Sequence, residues 1–132
     1  MQVQHDPHTL AVRRFLAAMR DEDGRTLMEV LHPEVRWQVA GSSSISGEYV
    51  GREAVFGYFA RIVDLVGGSF TWEAEDISAG DTEVRLRTTT SASRGGRALC
   101  TTETLVFRLE DGRVTECRQE SEDQASWDDF WA

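Results

Sequence analysis

A carboxylate within an apolar strand is the clearest candidate for chemistry in this sequence. Glu103, Leu105 and Phe107 are spaced two residues apart, so their side chains share one face of a predicted strand. Burial among such neighbours disfavours the charged form and raises the pKa of a carboxyl group, which suits a general acid or base. Glu103 is therefore the first candidate for proton transfer. The alternatives are a position at a wet rim of the fold or a purely structural hydrogen bond.

The hairpin that follows predicts what stands opposite Glu103. We interpret residues 109–113, Leu-Glu-Asp-Gly-Arg, as a three-residue hairpin loop in which Gly112 supplies the left-handed position. In that register Glu103 faces Gln119, which would orient the carboxylate. A one-residue slip would bury four charges, so the less charged face must point into the core. The inward set is predicted to be Glu103, Leu105, Phe107, Cys117, Gln119 and Ser121.

Aromatic side chains give the predicted interior its character. We expect most of them to pack the core and one or two to line a ligand cavity. Tyr58 lies beside the apolar stripe of a predicted helix, so its hydroxyl is expected near the cavity mouth. Tyr58 or Ser121 would offer a hydrogen bond to developing negative charge. The candidate ligand-binding residues are Phe15, Trp37, Tyr58, Phe59, Trp72, Leu105, Phe107, Cys117 and Ser121.

Other chemistries lack the residues or the spacing that they need. The histidines are His5, His8 and His32; none forms a metal-binding pair, and CxxC and phosphate-loop motifs are absent from the sequence. We interpret His32, in a Leu-His-Pro turn, as structural, and we expect neither a metal nor a cofactor. Cys100 and Cys117 are predicted to lie out of register on opposite faces, so we expect no disulfide bond.

Charge makes two classes of partner improbable. The 132 residues carry 23 acidic and 14 basic side chains, which gives a net charge of -9. Phosphate backbones and anionic lipid would repel such a chain, so neither nucleic acid nor a membrane is expected as a partner. The polar residues 1–7 lack the pattern of a signal peptide, and no apolar run reaches about 20 residues. We therefore expect one cytoplasmic domain, residues 1–132.

Three helices and five strands are predicted to position these residues. The first helix is expected at residues 8–20 and the third at 52–66. Between them, a short second helix is expected to begin after an N-cap at Asp23 and to be stopped by Pro33. The apolar stripe of the third helix is Val55, Phe56, Phe59, Ile62, Val63 and Val66. Strands are expected around Trp37 and, beyond a loop at 41–51, at 69–79, 82–93, 97–109 and 113–122. Helices followed by strands favour an α+β fold in which a curved antiparallel sheet wraps three N-terminal helices.

The C-terminal segment is predicted to form a short aromatic helix. Ser126-Trp127-Asp128-Asp129 reads as a capping box, with Trp127, Phe130 and Trp131 on one side of the turn. Three large aromatic side chains are not expected to remain in water. They would cover the open end of the fold or dock on a partner subunit.

Three segments carry a family resemblance. They are RFLAAMRDEDGRTLMEVLHPEVRWQV, GEYVGREAVFGYFARI and FRLEDGRVTECRQESEDQASWDDFW. They resemble the SnoaL-like, ketosteroid-isomerase-like family over nearly the whole chain. The resemblance implies the cone-shaped fold of nuclear transport factor 2-like proteins. We expect a homodimer through the outer, charged face of the sheet.

The isomerase chemistry of that family does not transfer. Its oxyanion-binding tyrosine corresponds to Phe15, its aspartate base falls at or beside Val39, and its second aspartate corresponds to Leu105. All three groups are missing, so ketosteroid isomerisation is excluded. Family members that cyclise polyketides keep an acid on a late strand facing the cavity. Asp123 could approximate it and joins the ligand-binding candidates, although Glu103 is better placed.

These observations lead us to expect a cofactor-free isomerase, cyclase or lyase that acts on a small, largely apolar, polyketide-like molecule. Glu103 would abstract a proton next to a carbonyl or hydroxyl, and Gln119 would orient it. The rival interpretation is a non-catalytic ligand-binding or dimerisation module, and a filled cone would indicate a plain structural dimer. An open pocket with at least two converging polar groups would favour the enzyme.

Overall fold

A computed structural model describes residues 7–132 as four α-helices and a curved, unclosed six-stranded sheet. The helices are α1 (Pro7–Asp21), α2 (Gly24–Val30), α3 (Arg52–Val66) and α4 (Gln124–Phe130), with a short 3-10 turn at Gly67–Ser69. The strands are β1 (Leu31–Val39), β2 (Gly47–Val50), β3 (Thr71–Ala79), β4 (Glu83–Arg94), β5 (Arg97–Glu110) and β6 (Arg113–Ser121). The expected α+β cone fold is confirmed.

The sheet is mixed rather than wholly antiparallel. Its strand order is β2-β1-β6-β5-β4-β3, and the β1–β6 pair is parallel while every other described pair is antiparallel. The parallel pair joins the first and last strands of the chain, which run in the same direction. It brings Trp37 level with Cys117 and Val39 level with Gln119, so the first and last strands share one inner face.

The start of the second helix was predicted correctly and its end was not. Asp23 caps α2, with its carboxylate accepting from the Thr26 amide at 3.2 Å. The helix ends at Val30, and Pro33 already lies inside β1. Proline disfavours a helical conformation at the residue before it, so the extended backbone begins upstream of Pro33.

The segment expected to be a loop, 41–51, contains an additional strand. Residues of β2 pair with β1, Tyr49 opposite Trp37 and Gly47 opposite Val39. The strand has only four residues and lies at the edge of the sheet, so it carries almost no alternation of apolar residues. Helix α3 follows with the predicted bounds.

The buried face of α3 differs from the predicted stripe. Its buried residues are Val55, Tyr58 and Ile62, whereas Val63 is 60% exposed. Tyr58 therefore faces the interior instead of the cavity mouth. Phe59 is partly buried and packs edge-on against Trp37 with ring centroids 5.3 Å apart.

The last hairpin has a two-residue loop, so the predicted register was wrong by two positions. Asp111 and Gly112 both have positive φ, 52° and 77°, as a tight Asp-Gly turn requires. After an irregularity beyond Arg108, Glu103 pairs with Ser121 instead of Gln119. An even shift preserves which face a side chain occupies. Leu105, Phe107 and Cys117 are therefore buried as predicted.

Helix α4 packs on its own chain. Its N-cap is Asp123, which accepts from the Ser126 amide at 3.2 Å, so the predicted cap at Ser126 was wrong by three residues. Trp127, Phe130 and Trp131 are buried, at 2%, 3% and 0% exposure. The side chain of Gln124 bonds the Ala40 carbonyl, and residues 41–44 approach the helix.

Two further findings concern the cysteines and the character of the helices. Cys100 is exposed on β5 and Cys117 is buried on β6, and both are free thiols. Within residues 7–132, no helix has the length and apolar character of a membrane span.

Candidate functional site

An open cavity of about 560 Å³ lies between the helices and the inner face of the sheet. Its buried walls come from α1, α3 and the strands β1, β4, β5 and β6. Its exposed lining residues cluster where α1 and α3 end and β3 begins, which defines the mouth; they include Arg20, Glu22, Val63, Gly67 and Thr71. The cone is open, and the cavity is large enough for a small ligand.

Seven of the residues predicted from the sequence come together in this cavity. They are Phe15, Trp37, Tyr58, Phe59, Trp72, Leu105 and Gln119. Phe107 and Cys117 are fully buried outside the lining, with the Phe107 ring 5.6 Å from that of Phe15. Ser121 also lies outside the lining, and its hydroxyl accepts from the Asp123 amide. Asp123 is an exposed helix cap, and its own cap bonds from Ser126 lower the pKa of its carboxyl.

Gln119 is the polar centre of the inner wall. Its Oε1 accepts two hydrogen bonds, from Trp37 Nε1 at 3.0 Å and from the Tyr58 hydroxyl at 3.1 Å. An indole nitrogen can only donate, which fixes Oε1 as the atom between the two rings. The Nε2 amide group then faces away from them and has no partner among the described residues. The arrangement presents an oriented donor to a largely apolar cavity.

Tyr58 supports that arrangement as a neutral phenol. It is 2% exposed, and burial raises the pKa of its hydroxyl far above its usual range. The proton is therefore retained and is donated to Gln119. Phe59 packs against the Tyr58 ring at a centroid distance of 5.7 Å, and Phe15 packs against Phe59 at 6.2 Å.

Glu103 is buried one row away from Gln119 on the same inner face. It is 1% exposed, and desolvation raises the pKa of its carboxyl although hydroxyls of Thr101, Thr90 and Ser121 partly oppose the shift. Oε2 accepts from the Thr101 hydroxyl, while Oε1 forms no well-aligned hydrogen bond within residues 7–132.

The carboxylate of Glu103 does not itself line the cavity. Its cross-strand neighbour Thr88 and its strand neighbour Leu105 both do. Gln119 stands opposite Leu105 and does not contact the carboxylate, so the predicted orienting pair is absent. Glu103 lies beneath the inner wall, with its carboxylate turned towards Thr101.

Sequence reasoning missed three buried threonines around Glu103. Thr88, Thr90 and Thr101 are 5%, 4% and 9% exposed, and the first two line the cavity. The sequence did contain a pattern that places them on the inner face. Thr88 and Thr90 follow Leu86 at intervals of two residues on β4, and Thr101 precedes Glu103 by two residues on β5. Threonine is common on both faces of a sheet, so the pattern carried little weight.

The remaining titratable candidates are structural or lie outside the described residues. His32 Nδ1 accepts from the Glu34 amide at 3.0 Å, which is a local turn contact. His5 falls outside residues 7–132. Within those residues, no three His, Cys, Asp or Glu side chains come together in a way that could hold a metal ion.

Comparison with known proteins gives a consistent result. The model of the SnoaL-like domain family matches residues 12–117. The structure of Bal32a, from a soil-derived mobile gene cassette, is 33% identical with a TM-score of 0.91, over 96% of this chain and 97% of that one. A Xanthomonas campestris protein of unknown function with a cystatin-like fold is 26% identical, with a TM-score of 0.88 over 95% and 98%.

A candidate SnoaL-like polyketide cyclase from Jannaschia sp. CCS1 shares the fold at 16% identity. Its TM-score is 0.78, over 100% of this chain and 99% of that one. No curated protein matches the chain.

Proposed function

Because this chain belongs to the SnoaL-like domain family, we propose that it is an isomerase, cyclase or lyase that acts on a small, largely apolar carbonyl compound inside the cavity. The family and its neighbours support a small-molecule isomerase- or cyclase-like protein. The observation that carries the proposal is the fixed amide of Gln119. A donor held in place by Trp37 and Tyr58 suits a ligand oxygen on which negative charge develops.

In the proposed reaction Glu103 is the base. Its side chain turns from Thr101 into the cavity, and the carboxylate takes a proton from the carbon next to the carbonyl. The electron pair of that C–H bond moves onto the oxygen, giving an enolate that accepts a hydrogen bond from Gln119 Nε2. For a substrate with a carbon–carbon double bond next to the carbon that loses the proton, the enolate is a dienolate. Return of the proton to the far carbon of that dienolate shifts the double bond, completes the isomerisation and restores the carboxylate.

The environment of Glu103 suits this role. Desolvation raises the pKa of the carboxyl, which makes the carboxylate a stronger base than an exposed one. The hydroxyls of Thr90 and Thr101 hold the resting side chain without neutralising its charge. Apolar walls strengthen the interaction between the enolate and the amide, because they lower the local dielectric constant.

Proton abstraction can be tested without knowing the natural substrate. β-Tetralone is a small bicyclic ketone with exchangeable hydrogens next to its carbonyl, and its exchange in deuterated buffer is followed by NMR. We expect the protein to accelerate exchange above the buffer rate. Glu103→Gln should remove the acceleration, and Gln119→Leu should reduce it by about tenfold to a thousandfold.

Glu120→Gln is the matched control, because Glu120 is an exposed acid on the same strand as Gln119. It should exchange the ketone at the wild-type rate. Wild-type acceleration that persists in folded Glu103→Gln would refute Glu103 as the base.

A non-catalytic ligand-binding module is the second candidate. The position of Glu103 beneath the wall favours it, because the buried part of the described lining contains no carboxylate. Saturable binding of β-tetralone to the cavity, with exchange at the buffer rate at every ligand concentration, would support this candidate over the enzyme.

A further inference from the structure

Arg20 spans the mouth of the cavity. It lies in the last turn of α1 and lines the cavity together with Trp72 of β3. Its guanidinium carbon is 5.0 Å from the centroid of the Trp72 ring, a cation–π contact. The contact holds the cation over the entrance, between a helix and the sheet.

The hydrogen-bond donors of Arg20 have no acceptor in the part of the chain that the structure describes. Within residues 7–132 it forms neither a hydrogen bond nor an ion pair, whereas Arg14 pairs with Glu29 at 3.0 Å and Arg87 pairs with Glu122 at 2.7 Å. Glu22 lines the same mouth but lies beyond ion-pair distance of Arg20. The mouth therefore offers a positioned cation that is not paired with Glu22, the acid that shares the lining.

A guanidinium that lies over an indole ring can still direct N–H groups to a second partner. Those groups match the two oxygens of a carboxylate and bind them through paired hydrogen bonds. The aromatic walls behind the mouth, Phe15, Trp37, Phe59 and Trp72, suit an aromatic or alicyclic body. At the inner end, Gln119 suits a carbonyl oxygen.

We propose that Arg20 binds a carboxylate at the outer end of the ligand, so that the substrates of this chain are keto acids with an apolar ring between the two groups. The inference rests on the proposed function of the cavity and adds a charged group to its substrate class. Arg20 is then a specificity-determining residue, remote from the proton transfer at the inner end.

The test compares acids with their uncharged esters. The probes are para-acetylbenzoic acid and its longer biphenyl homologue, each with its methyl ester, and binding is measured by calorimetry and ligand-observed NMR. We expect at least one acid to bind the wild-type protein about three- to tenfold more tightly than its ester, as for a partly solvated ion pair. Arg20→Gln should abolish this preference and leave the affinity of the ester unchanged.

Arg13→Gln is the matched control. Arg13 is exposed on the same helix, lies outside the cavity lining and carries the same charge. It should retain the preference for the acid, which separates a local contact from the overall charge of the protein.

Four outcomes would overturn the inference. One is an acid preference that survives in Arg20→Gln, and another is tighter binding of para-acetylbenzylamine, which would assign the mouth to Glu22. If the esters bind in the cavity as tightly as their acids, the substrate class does not require a carboxylate, but the proposed function remains intact. If no ketone of either kind enters the cavity, the proposed function fails as well.

Discussion

At the residue scale, Gln119 joins the stability of the fold to the chemistry of the cavity. It supplies the acceptor for two donors that are almost fully buried, Trp37 at 1% and Tyr58 at 2% exposure. The bonds reach back 82 and 61 residues along the chain. The same side chain turns its amide towards the ligand, so one residue fixes three elements and one binding geometry.

Replacement of Gln119 should therefore destabilise the protein. Gln119→Leu leaves the Trp37 and Tyr58 donors without an acceptor, and each unsatisfied buried group costs about 1–3 kcal/mol. We expect a loss of about 2 kcal/mol or more in the free energy of unfolding, measured by urea denaturation. Gln38→Leu on the outer face, where the amide bonds Glu48, should change it by less than about 0.5 kcal/mol. Equal effects of the two substitutions would contradict this account.

Glu103 should make stability depend on pH. Burial raises its pKa above 4.5 in the folded protein, so the folded state keeps its proton over a range in which the unfolded state has lost it. The contribution of Glu103 to the free energy of unfolding is therefore fully present below about pH 4.5. It is lost as the pH rises through the pKa of the folded state.

Glu103→Gln removes this loss because the amide carries no charge. Its melting temperature should match that of the wild type near pH 4 and exceed it by a few degrees near pH 8. A difference that shrinks as the pH rises would contradict the assignment of a raised pKa. Calorimetric scans across the pH range make the measurement.

The inward parity of these residues could be predicted, but their contacts could not. Charges alternate with apolar side chains along β5 and β6, so only one assignment of faces keeps the charges out of the core. Trp37 is a hydrogen-bond partner of Gln119, and the two residues meet because β1 and β6 pair in parallel. No local pattern near either residue encodes that pairing, and so Gln119 was assigned to Glu103.

At the element scale, two of the misjudged segments are short. Strand β2 has four residues and a single edge partner, and the turn at Asp111 and Gly112 is one residue shorter than predicted. The bounds of the long helices and strands lie close to the predicted ones, because their periodic patterns extend over many residues, although the buried face of α3 differs. Short elements depend on neighbours distant in sequence, which a local pattern does not contain.

The attachment of α4 depends on Gly41. Its φ is 101°, and a Cβ there would overlap Asp128 Oδ1 and Gln124 Nε2. Those side chains bond Ser42 and the Ala40 carbonyl, so an added methyl group would displace the contacts between the loop and the helix.

Gly41→Ala should therefore cost about 1–2 kcal/mol more than Gly47→Ala. Gly47 is the matched control, because its φ is 134° and an added Cβ would meet open space. Hydrogen exchange should be faster in α4 of Gly41→Ala alone. Equal stability of the two variants would show that the loop does not hold the helix.

At the scale of the whole molecule, the outer face of the sheet is charged but internally paired. Glu83 approaches Arg108 at 3.6 Å and Arg118 at 3.8 Å, and Arg87 pairs with Glu122. Val106 is 8% exposed among these side chains. We propose that two copies of the chain associate through this face, where alternating charges can pair across a twofold axis.

Light scattering after size-exclusion chromatography should give twice the mass of one chain. Arg118→Glu places a third acid beside Glu83 and Glu120 and should shift the protein towards monomer, because like charges across an interface cost several kcal/mol. Arg14→Glu, on α1, should leave the dimer intact. A wild-type protein that is monomeric at all accessible concentrations would contradict the proposal.

The four tryptophans divide into two groups with different optical environments. Trp37 and Trp72 line the cavity, while Trp127 in α4 and Trp131 at its C-cap have ring centroids 5.7 Å apart. Ligand entry should quench or shift the emission of the first pair only. Close, tilted indoles such as the second pair couple their excited states. A helix of seven residues is not stable by itself, so this circular dichroism signal would be lost when α4 detaches and unfolds. Occupancy of the cavity and docking of the C-terminal helix can therefore be followed separately in the unlabelled protein.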